Sequence, residues 1–469
     1  MAQYESFFAV LVGFAAAALT VHAVLSRKDS RTTIAWVGLI WLAPVVGGLL
    51  YLVLGINRIR RKAIRARGDR PQLTHARERS NHDLTDPALV HLSTLVGRLT
   101  GAPLVGGNRV DPLTTGVEVY AAMREAFERA QTSITLSTYI FDNDRIGREF
   151  VDVLARAKDR GVTVRVLVDA AGARYSFPTA LSLLHTRGVR AVAFLPSRIP
   201  SMLLALNLRT HRKIVVVDGR TAFTGGMNIR EGHTLTEGRR AIQDLHFRLM
   251  GPVVAQLQQA FATDWFYCTR EVLDGPAWFP TPVEPAGDVL ARGIADGPDE
   301  DFDKLRLTLL GALACAERSV SIVTPYFIPD PTVATALEVT ALRGVRIDIL
   351  LPERSNLPIV PWAMWAHFEG LVKKGVQIWL TPRPFDHSKL MVVDDRWSLI
   401  GSANWDARSL VLHFEMNVEC YDTRLAATLG RLIQEKRSRA RLVTAGELAD
   451  RSVLLKIRDG IADLASPYL

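Results

Sequence analysis

Two stretches of this chain repeat one chemical pattern. His211-Arg-Lys213-Ile-Val-Val-Val-Asp218 is followed after six residues by Gly225-Gly-Met-Asn228, and His387-Ser-Lys389-Leu-Met-Val-Val-Asp394 is followed, again after six, by Gly401-Ser402-Ala-Asn404. With ordinary residue usage one such match arises by accident in on the order of one chain per ten thousand, so two in one chain mark a duplicated site. The residue types suit group transfer on an anion: Lys213 and Lys389 bring positive charge, and Asn228 and Asn404 bring neutral amide donors. Histidine, with a pKa near neutrality, serves as nucleophile, acid or base. Within each motif the apolar run after the lysine reads as a strand, so His and Lys, two residues apart, project from one face.

The paired motif resembles the signature of the phospholipase D superfamily, in which two half-sites meet to form one phosphodiester-processing centre. The resemblance implies that one histidine attacks phosphorus to give a phosphohistidine while the other protonates the departing alcohol and later deprotonates the incoming hydroxyl. It assigns His211 as nucleophile and His387 as general acid/base, and it requires no metal and no other cofactor. Ser402 is expected to add a hydroxyl toward substrate, whereas its counterpart Gly226 adds none, which makes the halves inequivalent. Asp218 and Asp394 complete the motifs. A carboxylate beside a phosphate would repel it, so their expected role is to hold the turn and the lobe interface. The superfamily pattern also places an acidic residue downstream of each motif to orient the histidine of the opposite lobe, as the third member of a triad does. Asp244 is thereby paired with His387, and Glu415 with His211.

The elements that must position these residues are also duplicated. Helical spacing over 116–131 and 147–158 alternates with strand patterns over 133–141 and 162–169. Helices over 305–317 and 332–342 alternate in the same order with strands over 319–327 and 343–351. This alternation predicts an α/β fold of two homologous lobes, mixed sheets flanked by helices, with the site between them. The expected lobes are 99–285 and 286–469. Tyr139, Phe141, Tyr326 and Phe327 end equivalent strands and are either pocket-lining or core. The repeat has one irregularity: 186 residues separate Ser133 from Ser319, but 176 separate His211 from His387. About eleven extra apolar residues therefore precede His211, around Leu203, Leu204 and Leu206, either as core or as a flap that contacts acyl chains at the site mouth. Near the C-terminus Val453, Leu454, Ile457, Ile461 and Leu464 recur at helical spacing, which predicts an amphipathic helix that packs on a lobe or lies in a membrane plane.

The N-terminal 57 residues differ in kind. Residues 7–25 contain only Thr20 and His22 as polar members, and 33–54 contain no charge. Each run is long enough for a hydrocarbon core of about 30 Å, which predicts a transmembrane helical hairpin. Pro44 and Gly47-Gly48 allow a kink or close helix contact in the second run. The phrase from Ile34-Ala35-Trp36 through Pro44 to Tyr51 and Gly55 resembles the membrane segment of bacterial cardiolipin synthases. Residues 58–98 read as a basic linker with one helix near 87–99. Its arginines place the lobes on the cytoplasmic side of the inner membrane, by the bias of basic flanks toward the cytoplasm.

Composition narrows the partner. The chain of 469 residues is 48% hydrophobic and carries a net charge of +9, which suits an anionic partner. Three cysteines without a C-x-x-C pair argue for a reducing compartment and no structural zinc. From hairpin to second lobe the chain resembles bacterial-type cardiolipin synthases. The implied reaction moves a phosphatidyl group from phosphatidylglycerol to a second phosphatidylglycerol and releases glycerol. The rival readings are a membrane-bound phospholipase D that transfers to water and a membrane-tethered nuclease or nucleic-acid-binding protein. The basic residues cluster beside the apolar runs rather than among aromatics suited to base stacking, so no nucleic-acid partner is expected.

Overall fold

The alternating residues of the two motif strands set the layering. In Ile214–Val217, Val215 and Val217 enter one core cluster while Ile214 and Val216 enter another. In Leu390–Val393, Met391 and Val393 part from Leu390 and Val392 in the same way. Strands buried on both faces belong inside a sheet with helices on either side. The computed structural model, which describes residues 2–26, 30–52, 84–196, 209–297 and 303–466, has this arrangement in a large C-terminal unit.

Fifteen strands form one mixed sheet. The first half supplies β1 (Val105–Leu113), β2 (Ser133–Thr138), β3 (Thr163–Asp169), β4 (Ala191–Phe194), β5 (Ile214–Val217), β6 (Thr221–Gly225) and β7 (His246–Met250). The second half supplies β8 (Val289–Asp296), β9 (Ser319–Val323), β10 (Arg346–Pro352), β11 (Gln377–Thr381), β12 (Leu390–Val393), β13 (Trp397–Gly401), β14 (Glu415–Tyr421) and β15 (Arg441–Leu442). Their spatial order is β15-β11-β10-β9-β12-β13-β14-β8-β1-β7-β6-β5-β2-β3-β4. β8 and β1 pair antiparallel at the centre. Outward from them, β14-β13-β12-β9-β10-β11 on one side repeats β7-β6-β5-β2-β3-β4 on the other. The duplication read from the motifs is therefore a duplication of topology, fused into one sheet.

The shared core beneath this junction contains Ile214, Val216, Leu390 and Val392, together with Val254 and Leu257 of the helix Val254–Thr269 and Leu425 and Leu429 of the helix Thr423–Ser438. Burying each such aliphatic side chain contributes about 1.5–3 kcal/mol, so the halves are held by apolar packing as well as by the β1–β8 ladder. The helix Pro87–Thr100 starts at an Asp86 cap whose carboxylate accepts from Ala88 N–H. Although this segment precedes the first half in sequence, Leu92 and Val96 bury in the second half's core beside Leu305 and Leu309.

The C-terminal helix Val453–Asp463 packs on the helix Ile359–Lys373 with its polar side. Asp459 is buried against Arg451 and Arg458, and His367 Nε2 lies 2.9 Å from Asp463 Oδ1. Its apolar stripe faces outward: Leu454 is 79% and Ile461 63% exposed. The expected amphipathic helix is present, and its polar rather than its apolar side faces the body.

The N-terminal unit contains the helices Ala2–Ser26, Ser30–Leu42 and Pro44–Leu50. Trp41 Nε1 donates to Thr20 Oγ1 at 3.0 Å, and Tyr51 Oη meets His22 Nδ1 at 2.8 Å. Pro44, which lacks an N–H and crowds the preceding turn, splits the second apolar run into helices of 13 and 7 residues. Among the described residues no helix is long and apolar enough to cross a membrane, so the expected pair of continuous spans over 7–25 and 33–54 is not found. The insertion with Leu203, Leu204 and Leu206 lies outside the described residues.

Candidate active site

Each motif histidine sits just before its strand and is tied by its backbone to the opposite half. His211 N–H donates to Phe414 O at 2.9 Å, and Phe414 N–H donates to Arg209 O at 2.9 Å. On the other side His387 N–H donates to Gln243 O at 2.7 Å, and the pair Phe385–Asp386 runs parallel to Ile242–Gln243. Phe414 and Gln243 immediately precede Glu415 and Asp244. These two short cross-connections deliver each carboxylate to the histidine of the other half. Glu415 Oε1 and Oε2 lie 2.9 and 3.2 Å from His211 Nδ1. Asp244 Oδ2 lies 2.8 Å from His387 Nδ1. A carboxylate on Nδ1 holds the proton there and leaves Nε2 as the reactive nitrogen.

Both histidines line one cavity of about 280 Å³, together with Asn228 and Asn404. Asn228 Oδ1 accepts from Ile140 N–H at 3.0 Å, which turns its amino group to the cavity side. Asn404 Nδ2 donates to Ser409 Oγ at 3.1 Å. The lysines stand behind this wall. Lys213 Nζ donates to His211 O at 2.7 Å, and Lys389 Nζ donates to His387 O and lies 2.8 Å from His387 Nδ1. Thus Lys389, unlike Lys213, shares its histidine's Nδ1 with the carboxylate. Ser402 does not face the cavity as a substrate ligand: its hydroxyl donates to the Glu415 carboxylate.

Asp218 and Asp394 lie at the far ends of the motif strands, away from the cavity. Asp218 accepts from the N–H groups of Gln131, Thr132 and Ser133, and Asp394 from those of Glu317, Arg318 and Ser319. Each thereby clamps the turn entering β2 or β9. They are structural members of the motif, removed from the reacting atoms because a four-residue strand separates the two ends.

The cavity also contains residues that the motif did not reveal. Arg209, Arg408, His233 and His413 line it, as do Tyr139 and Tyr326, whereas Phe141 and Phe327 are core. Tyr139 packs edge-on against His211 at 5.4 Å between ring centres, and Tyr326 against His387 at 6.1 Å. The aromatic strand ends were the available signal for the tyrosines; Arg209 lay two residues from the motif, but nothing in its spacing set it apart. His413 and Glu415 bring possible ligand atoms within 4.8 Å of one another and of His211. A cation there would compete with the His211–Glu415 hydrogen bond.

Electrostatics separate the two histidines. Burial pushes the Glu415 carboxyl up, but the His211 ring, their hydrogen bond and Lys213 outweigh it and bring it to about 2. Burial dominates at Asp244 and pushes it to about 6 against the pull of Lys389. Burial lowers the His211 pKa, opposed by Glu415. His387 is held well below the ordinary value by burial, then Lys389 and Lys213. Burial brings Lys213 down to about 7 and Lys389 to about 8. Burial therefore disfavours the positive charges of these lysines, and an anionic phosphate beside them would favour them.

A family model described as cardiolipin synthase, PLD-like domain, matches residues 123–265 and 309–436, one stretch in each half. A second, described as phospholipase D-nuclease N-terminal, matches residues 14–55. The chain is 32% identical to a cardiolipin synthase of Geobacillus thermodenitrificans, over 98% of this chain and 94% of that protein. It is 30% identical to the major cardiolipin synthase ClsA of Bacillus subtilis, over 94% of this chain and 95% of the relative. Among solved structures, phosphatidylserine synthase of Haemophilus influenzae shares the fold with a TM-score of 0.62 at 16% identity, over 77% of this chain and 95% of that one.

Proposed function

The chain belongs to the cardiolipin synthase family of phospholipase D-like proteins, and on that premise we propose that it transfers a phosphatidyl group between two phosphatidylglycerol molecules and releases glycerol. The observation that carries this reading is the reciprocal arrangement of His211–Glu415 and His387–Asp244 in the wall of one cavity.

His211 is the nucleophile in this proposal. Its Nε2 attacks phosphorus, and the phosphohistidine so formed is cationic while Nδ1 keeps its proton. The firmly ionised Glu415 is the better countercharge for that cation; Asp244, whose carboxyl burial pushes up to about 6, holds its charge less firmly and is the weaker one. A bound phosphodiester offsets Lys213 and Lys389 and so favours imidazolium at His387. His387 Nε2–H then protonates the leaving glycerol oxygen as the P–O bond breaks. In the second half-reaction the acceptor hydroxyl attacks phosphorus, its proton passes to His387 Nε2, and the P–N bond electrons return to His211.

Membrane association accompanies this reading. Two sets of exposed apolar side chains support it: Phe7, Phe8, Leu11 and Phe14 in the N-terminal unit, and Leu454, Ile457 and Ile461 on the C-terminal helix. We place the N-terminal unit at the inner membrane through these exposed apolar side chains, with the catalytic body on the cytoplasmic side, as the arginines between 58 and 70 favour. Protease accessibility of the body in inverted vesicles, but not in right-side-out ones, tests that topology.

Purified protein in liposomes with labelled phosphatidylglycerol tests the activity. Cardiolipin with glycerol is the expected product pair. Phosphatidic acid alone would replace the transferase with a hydrolase.

A further inference from the structure

A second and larger cavity, of about 530 Å³, adjoins the catalytic one, and the two share Tyr175, Arg230, Ile242, Asn356 and Phe385 in their walls. Its lining is strongly basic and drawn from both halves. Arg239 and Arg240 come from the segment that leads to Asp244, whereas Arg354 and Arg383 follow β10 and β11 of the second half. The carboxylates in its wall are already engaged. Asp142 pairs with Arg230 at 3.1 Å, and Glu231 pairs with Arg145 at 3.0 Å. Asp144 caps a helix through Gly147 N–H and accepts from Glu231 N–H. Arg239, Arg240, Arg354 and Arg383 have no ion-pair partner among the described residues, and all four are exposed to the cavity's solvent.

Four unpaired guanidinium groups converging on one cavity repel one another unless an anion joins them. Their planar forks suit phosphate oxygens in particular. The donor's phosphate belongs between the two histidines, so it cannot also neutralise these arginines. The phosphatidyl-transfer reading, on which this inference rests, requires a second phosphate: that of the acceptor phosphatidylglycerol. In that lipid three glycerol carbons separate the phosphate oxygen from the primary hydroxyl. A phosphate held in the basic cavity therefore leaves the hydroxyl free to enter the adjoining catalytic one. We propose that Arg239, Arg240, Arg354 and Arg383 form an acceptor subsite that binds the phosphodiester of a second anionic lipid. The acceptor hydroxyl oxygen then forms the new P–O bond as the His211 P–N bond breaks, with its proton taken by His387 Nε2.

The subsite predicts selectivity among acceptors, and competition at a common intermediate measures it. Full-length protein in mixed micelles of labelled phosphatidylglycerol and excess 1-butanol partitions one phosphatidyl-enzyme between cardiolipin and phosphatidylbutanol. Because both products come from the same intermediate, their ratio reports the acceptor alone. Arg354→Gln with Arg383→Gln should lower the cardiolipin-to-phosphatidylbutanol ratio about tenfold, the loss expected for charge-assisted hydrogen bonds to one phosphate. Arg354→Lys with Arg383→Lys should recover part of the ratio. An unchanged ratio in the glutamine variant overturns the assignment, as does a lowered ratio that the lysine pair does not improve. Inorganic phosphate at constant ionic strength separates the sources of the anion. A site for a lipid headgroup keeps its ratio, whereas a ratio that inorganic phosphate lowers to the variant's level assigns the arginines to free phosphate. Phosphatidylbutanol without any cardiolipin from the unaltered protein would instead refute the synthase reading itself.

Discussion

Gly226 faces the Asp244 carboxylate so closely that an added Cβ would stand 2.1 Å from Asp244 Oδ1. At the equivalent place in the other half Ser402 carries a side chain, and its hydroxyl donates to the Glu415 carboxylate. The two halves thus reach the same end, a carboxylate on the opposite histidine's Nδ1, by different means. The shorter aspartate needs an empty position beside it, while the longer glutamate accepts a hydroxyl there.

From this relationship Gly226→Ala should displace Asp244 and misorient His387, lowering kcat by about 10²-fold or more with little change in thermal stability. Ser402→Gly should cost less, about tenfold or under, because Glu415 keeps both contacts to His211. Steady-state kinetics with phosphatidylglycerol check the ordering; a Gly226→Ala enzyme of normal kcat contradicts it.

Removing the general acid/base should expose the nucleophile. With His387→Asn, acid-labile phosphatidyl adduct is expected on the peptide containing His211, detected by mass spectrometry after rapid quenching. An adduct on His387 in the His211→Asn enzyme, with none in the reverse case, would exchange the two roles.

The pH dependence follows from the buried lysines. With pKa values near 7 and 8, Lys213 and Lys389 are cationic below those values and lose charge as pH rises through them. Attraction for the phosphodiester is then lost, so kcat/KM should fall on the alkaline side between about pH 7 and 8. Bound phosphate favours the ammonium forms, so the same limb in kcat should appear at higher pH. A kcat/KM that stays level to pH 9 would show that the lysines are not the titrating groups.

Chelation addresses the cluster of His211, His413 and Glu415. In the proposed mechanism Glu415 is occupied by the proton on His211 Nδ1, and activity should survive exhaustive treatment with EDTA. Complete loss, restored only by a divalent ion, would move these three residues from a proton-holding to a metal-holding role.

Asp218 should matter for stability rather than chemistry. Replacing it with alanine leaves the N–H groups of Gln131, Thr132 and Ser133 without their acceptor, at a cost of about 2–4 kcal/mol. Denaturant unfolding should show this loss while the folded fraction retains near-normal kcat. A kcat reduced as far as that of a His211 variant would place Asp218 in the chemistry after all.

Periodicity and spacing in the chain determined much of this protein on their own. The duplicated His, Lys and Asn positions, the alternating helices and strands of both halves, and the break risk at Pro44 are local properties, written in side-chain types at fixed separations. The same repeat implies that the two halves share one strand order, and the structure supplies which order it is. What sequence spacing cannot encode is distance between residues far apart along the chain. Glu415 and His211 are 204 positions apart, and Asp244 and His387 are 143 apart. Only the fused sheet and its two backbone cross-connections bring them within hydrogen-bond reach. The tertiary structure likewise decided that Ser402 serves Glu415, that the lysines stand behind the cavity wall, and that the last helix turns its apolar side outward. Each depends on which neighbours compete for the same space and the same donors, and that competition exists only once the chain has folded.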